Sequence, residues 1–168
     1  IEQNVLIAES TTGQAALGET DHEITIHAFN SEDLQGFSIS LVYDPLVWEF
    51  SHVDITGTIT ETAGAEFVEE FSDDDAGSAV LGVLLDILPP YAGQVIPATG
   101  IELEVARFYF DVQPDVFESV ETTIGFAPSP GTSPHAHKPA GKPRGLERYC
   151  PVLTQSSRQE DHPTTSLK

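Results

Sequence analysis

Hydrophobic and polar positions alternate along this chain in short stretches, most clearly over residues 34–50, LQGFSISLVYDPLVWEF. Phe37, Ile39, Leu41 and Tyr43 take every second position, with Ser38, Ser40 and Val42 between them. Period-two spacing sends successive side chains to opposite faces of a strand, so the pattern predicts a half-buried strand over residues 36–43. Asp44-Pro45 ends it, because proline has no donor for a ladder and biases the residue before it away from helix. An apolar run resumes over residues 48–55, with Trp48, Phe50, Val53 and Ile55 facing inward.

Further strands are expected over residues 5–8, 23–29, 58–62, 101–112 and 121–126. Residues 79–87, AVLGVLLDI, are nearly all apolar and read as a central strand buried on both sides, with Gly82 a bulge. Within residues 101–112 the parity of the apolar positions switches near Ala106-Arg107, which predicts a bulge or a change of sheet. Residues 65–71 fit either a helical turn or an irregular edge segment. Seven to nine strands at short spacing, with no amphipathic helix of useful length, make the chain an all-β antiparallel sandwich.

The pattern stops near residue 128. The segment APSPGTSPHAHKPAGKPRG is rich in Pro and Gly and poor in large apolar residues, and reads as linker or disorder. One folded domain is expected over residues 1–128, with a mildly basic tail over 129–168. Charge divides at the same point. Residues 1–128 hold 24 acidic residues and one basic residue, Arg107, whereas residues 129–168 hold three acidic and six basic. Nucleic-acid binding needs a basic footprint, which the body lacks. No run of 18 apolar residues is present to cross a membrane as a helix. The chain begins at Ile1 and contains no Met, which is read as a processed product or an excised fragment. The single cysteine, Cys150, rules out an intrachain disulfide.

Candidate chemistry is sparse. Asp73, Asp74 and Asp75 offer hard oxygen ligands for calcium, without the spacing of a calcium loop; a solvated acidic turn explains them better. His135, His137 and His162 lie in the tail, and His22, His27 and His52 are isolated on strands or edges. Glu102 and Glu104 share one strand face, and Glu49, Asp54 and Asp86 can approach them, but glycoside hydrolysis needs a cleft and one desolvated carboxyl. Phosphate-loop, dinucleotide and nucleophile-elbow motifs are missing. The chain reads as no enzyme. Two binding readings remain. Ser38 and Ser40, with Val42 and Leu84 nearby, make a small polar and apolar sheet face able to dock a partner element; Tyr91 and Tyr109 are the candidates for stacking on sugar.

The residues of the opening stretch also carry a resemblance. Leu34-x-Gly36-Phe37-Ser38-Ile39-x-Leu41-x-Tyr43-Asp44-Pro45-x-Val47-x-Glu49-Phe50, with Val53 and Gly57 after it, resembles the early core motif of the cohesin family. Val95-Ile96-Pro97-Ala98-Thr99-Gly100-Ile101, leading into Val105-Ala106-Arg107-Phe108, is similar to the run before that family's late strand. The resemblance covers residues 4–127. It implies a jelly-roll sandwich of about nine strands and non-catalytic docking of a dockerin, a small calcium-loaded helical module, onto one sheet. Gly36, Ser38, Ser40, Val42, Leu84 and Asp86 would then line the partner face. Ser38 stands where typical members place a contacting aspartate, and Gly36 where they often have asparagine. No cofactor is implied, and calcium belongs on the partner rather than here. The setting implied is secreted or cell-surface, without nucleic acid or membrane insertion. The family's closing strand has no good counterpart after residue 126, so an edge-mediated dimer stands beside a monomer. A carbohydrate-binding or structural sandwich of related topology is the alternative.

Overall fold

The computed structural model describes residues 5–10 and 12–127. Among them are eight strands: β1 (Val5–Ser10), β2 (His22–Phe29), β3 (Gly36–Val42), β4 (Trp48–Asp54), β5 (Phe67–Asp73), β6 (Ser78–Leu84), β7 (Leu103–Val112) and β8 (Gly125–Phe126). They form two four-stranded sheets, β1–β2–β7–β4 and β5–β6–β3–β8, in which every named pairing is antiparallel. Only β1–β2 and β5–β6 join strands of one sheet; every other connection crosses to the opposite sheet. The result is an antiparallel β-sandwich consistent with a jelly roll. The reading of residues 129–168 as a separate tail lies outside the described residues.

Alternation builds the core as the sequence predicts. On β2, Ile24, Ile26 and Ala28 face inward; on β3, Ile39 and Leu41; on β6, Ala79, Leu81 and Val83. Between the sheets lie Trp48, Phe108 and Phe110, fully buried. The Phe110 ring meets those of Tyr43, Phe50 and Trp48 edge-on, with centroids 5.2, 5.8 and 6.4 Å away. Each such side chain contributes roughly 1.5–3 kcal/mol through removal from water.

Two bulges explain the breaks in parity. Ile26 pairs with Ala106 and His27 with Glu104, so Val105 is the extra residue on β7. Val105 and Ala106 are consequently both buried. A bulge leaves backbone groups outside the ladder, and here the Val105 carbonyl accepts a bond from the buried Thr60 hydroxyl at 2.7 Å. On β4, Phe50 pairs with Phe110 and His52 with Tyr109, leaving Ser51 as the extra residue. This is why Trp48 and Phe50 pack inward and Val53 does too, although the spacing between Phe50 and Val53 is odd.

Three expectations need correction. Residues 58–62 are not a strand: Ile59–Thr62 is one helical turn, α1. Glycines flank it, and local bonds satisfy it, with the Thr58 hydroxyl donating to Ile55 O and the Thr62 hydroxyl to Thr58 O. The apolar run at 79–87 is not buried on both sides. β6 ends at Leu84, and Val80, Gly82 and Leu84 point away from the core with no register break at Gly82. The last strand is shorter than 121–126: only Gly125 and Phe126 form a strand, pairing with Val42 and Leu41, and Thr122 makes no more than an isolated bridge. Of the two readings left open for residues 65–71, the edge segment is the one found: Phe67 begins an edge strand, β5, that runs to Asp73 and is exposed throughout.

The β3 exit shows how local chemistry sets the chain path. Asp44 Oδ1 accepts the Leu46 N–H at 3.0 Å, and Asp44 O accepts the N–H groups of Val47 and Trp48, so the chain turns and enters β4. Gly77 closes the β5–β6 hairpin beside it. Its carbonyl accepts the Tyr43 N–H, its φ is +66°, and a Cβ there would collide with the Tyr43 carbonyl. Only glycine meets both demands.

Candidate interaction face

Pairing register decides which side chains share the outer face of the β5–β6–β3–β8 sheet. Phe67 lies opposite Leu84, which lies opposite Gly36. In the next row are Glu69, Gly82 and Ser38, then Phe71, Val80 and Ser40, then Asp73, Ser78 and Val42. Apolar side chains stand open along this face: Phe71 is 60 % exposed, Leu84 43 %, and Phe67 and Val42 37 % each. Around them are hydroxyls and bare backbone. Gly36 is closely covered, since a Cβ there would meet Val83 O at 2.7 Å, whereas Gly82 has room, its nearest neighbour for a Cβ being 3.9 Å away. Charge is confined to β5, at Glu69 and Asp73.

Gly36, Ser38, Ser40, Val42 and Leu84, singled out from the sequence, thus share one face. Asp86 does not extend it. It stands beyond the end of β6, where its Oδ2 accepts the Gly93 N–H at 2.8 Å. Phe67, Phe71 and Val80 were missed. An edge strand exposed on both faces shows no apolar alternation, so β5 carried no strand signal, and Val80 was lost in a run read as wholly buried.

The other candidates are dispersed. Tyr91 is exposed in the loop after β6, while Tyr109 belongs to the opposite sheet, stacked on His52 at 4.6 Å and donating to Glu23 Oε2 at 3.0 Å. They belong to different elements and do not form one stacking platform. Asp73 Oδ1 accepts the Ala76 N–H, and Asp74 Oδ1 accepts the Tyr43 hydroxyl at 2.9 Å. Burial, reinforced by Asp74, holds the Tyr43 phenol well above its usual range. Among the described residues no group of three or more His, Cys, Asp or Glu is placed to hold a metal ion. Cys150, His135, His137 and His162 lie outside the described residues. None of the helices described is long and apolar enough to cross a membrane.

The β1–β2–β7–β4 sheet has a polar outer surface that satisfies itself. Arg107 contacts Glu104 and Asp54 and donates to Thr56 O. Bonds from Thr56, with Arg107 adding to them, hold the Asp54 carboxyl below its usual range. Burial and then Glu23 raise the Tyr109 phenol. At the sheet's end, Ser10 Oγ lies 3.0 Å from His22 Nε2, and His22 Nδ1 lies 2.7 Å from Glu19 Oε1. The order resembles a nucleophile, base and acid. Every member is nonetheless committed to holding the 10–19 loop: Ser10 Oγ accepts the Gly13 N–H, Glu19 Oε2 the Ala16 N–H, and the buried imidazole packs on Trp48. Burial opposes ionisation of Glu19, but the bonds from Ala16 and His22 outweigh it and lower its pKa.

No protein-family model matches the chain, and no curated protein matches it. Solved structures do. One is the sixth cohesin of scaffoldin B from Acetivibrio cellulolyticus, in complex with a Cel5 dockerin mutant: 10 % identity, 76 % of this chain and 83 % of that one, TM-score 0.54. Another is the OlpA cohesin of a type I cohesin–dockerin complex from Clostridium thermocellum: 17 % identity, 73 % and 80 % covered, TM-score 0.54. The fold is that of cohesin-type β-sandwich domains, at low identity.

Proposed function

We propose that this chain is a non-catalytic protein–protein interaction module of the cohesin kind, docking a dockerin-type partner onto the outer face of β5, β6 and β3. The observation that carries the reading is the row register of that face. Phe67, Leu84, Phe71, Val80 and Val42 stand among Ser38, Ser40 and Gly82, a flat mixture able to seat a helix. Interfaces of this kind draw their energy from a few apolar anchors within a polar rim. The likeness to cohesins solved with dockerins supports the same choice. Ser38 and Gly36 replace the aspartate and asparagine of typical members, so the partner's recognition residues differ from those that suit such members. A secreted or cell-surface assembly is the setting that follows, with calcium on the partner.

Calorimetric titration of the full chain with a panel of dockerins, with calcium and with chelator, tests the proposal. Calcium-dependent binding that is lost when Leu84 and Ser38 are replaced by bulky charged residues is the expected result. A chain shown to be folded by its near-ultraviolet spectrum, yet inert to every dockerin, would overturn it.

A further inference from the structure

A second surface lies away from that face. The β3–β4 turn and the β7–β8 connection flank an open cleft of about 440 Å³ lined by Asp44, Leu46, Val47, Asp115, Phe117 and Glu118, among others. The two loops are fastened together at its base, where the Gln113 N–H donates to Val47 O at 2.8 Å. Leu46 and Phe117 are each 80 % exposed. Three carboxylates surround these two large apolar side chains, and Arg107, bound elsewhere, is the sole Lys or Arg among the described residues. The cleft therefore asks for a ligand that is both apolar and cationic.

The chain carries such a segment. Residues 142–150, KPRGLERYC, set Lys142, Arg144 and Arg148 around Leu146 and Tyr149. The rest of the molecule is strongly acidic. The length of the intervening chain permits the encounter. The Ala127 N–H donates to Ser40 O at 2.8 Å, and four residues of chain from Ser40 to Asp44 span at most about 14 Å. β8 runs antiparallel to β3, so at Ala127 the chain is directed away from Asp44 and has to turn back over that distance to reach the cleft. Fourteen residues lie between Ala127 and Lys142, and the fifteen Cα–Cα steps across them can reach at most about 50 Å, enough for that return. Tethering also gives the segment an effective concentration in about the millimolar range, so modest contacts suffice.

We infer that residues 142–150 dock in cis into the cleft between Leu46 and Phe117, with the basic side chains facing Asp44, Asp115 and Glu118. Docking there covers the exposed apolar pair and neutralises part of the acidic end of the sandwich. It is independent of what binds the sheet face.

The single cysteine provides the test. A nitroxide on Cys150 of the full-length, nitrogen-15-labelled chain should erase the amide signals of the Leu46 and Phe117 loops selectively. The signals should return at about 1 M salt, where the Debye length falls to about 3 Å. They should also return when Asp115 and Glu118 are both changed to Lys, or when Lys142, Arg144 and Arg148 are all changed to Glu. Combining the two reversals should restore the signal loss. The unlabelled amide spectrum of each variant reports that it is folded. Signal loss spread evenly over the domain, or centred on the sheet face, would overturn the inference. So would loss seen when the nitroxide is carried only by a second, unlabelled copy, which would assign the cleft to self-association.

Discussion

On the outer face of one sheet, Glu23, Tyr109 and His52 sit on three neighbouring strands and bond or stack with one another; on the outer face of the other, Phe67, Leu84 and Gly36 form a row with no charge in it. Both faces rest on the same alternating backbone and the same core. The first has its polar groups matched within the molecule, Arg107 to Asp54 and Glu104 and Tyr109 to Glu23. The second leaves apolar side chains in water, where burial by a partner is favourable. The difference teaches that binding is to be sought where a sheet has been left incomplete, and that fold alone does not choose the face.

Breaking the shared core should have the largest effect. Phe110→Ala removes a ring that touches Tyr43, Trp48 and Phe50 and should cost about 3–5 kcal/mol, read as a lowered denaturant midpoint that affects both faces together. Next comes a paired substitution that separates the faces. Leu84→Glu should weaken dockerin binding by at least about thirty-fold, roughly 2 kcal/mol, while Thr25→Glu on the opposite sheet leaves it unchanged. Equal losses in the two variants would mean that the faces do not differ as binding surfaces.

A smaller effect separates them by pH. The folded Glu19 carboxyl titrates below its ordinary value of 4.5. Its contribution is therefore fully present above that value and is lost as pH falls through the lower folded value. Glu19→Gln should cost about 1–2 kcal/mol near neutral pH, and the gap to the unmodified chain should close in acid. Urea unfolding at several pH values measures it, and partner binding should not follow. Smallest is Arg107→Gln, which removes exposed or half-exposed ion pairs and should cost no more than about 1 kcal/mol. Binding at the β5–β6–β3 face should again be unaffected, and a change there would couple the two sheets.

The outward positions of β3 were legible because alternation continues unbroken from Phe37 to Tyr43, and that stretch named Gly36, Ser38, Ser40 and Val42 together. Leu84 was named as an apolar neighbour of that face although the run that holds it was read as buried on both sides, and Asp86 lies two residues beyond the end of β6, since composition does not reveal where pairing stops. Phe67 and Phe71 had no pattern of their own, because an edge strand open on both faces has no reason to alternate. Leu46 and Phe117 sit in loops, where no periodicity links residues seventy positions apart. The Thr58–Thr62 region fits a strand by residue type, and β-branched residues do favour strands. The carbonyl freed by the Val105 bulge, reached only in three dimensions, gave Thr60 a partner and kept the turn helical.

By itself the sequence determined the all-β class, most of the strands, the inward set that makes the core, the parity switch on β7 and the acidic character of the body. These follow from side-chain period and charge, which are properties of near neighbours. Tertiary structure alone decided that β5 lies beside β6 and completes an apolar face, that Leu46 and Phe117 line one cleft, and that Ser10, His22 and Glu19 form a chain of contacts. Those depend on pairing register, on loop conformation and on the way the chain crosses from sheet to sheet, none of which the side-chain period encodes.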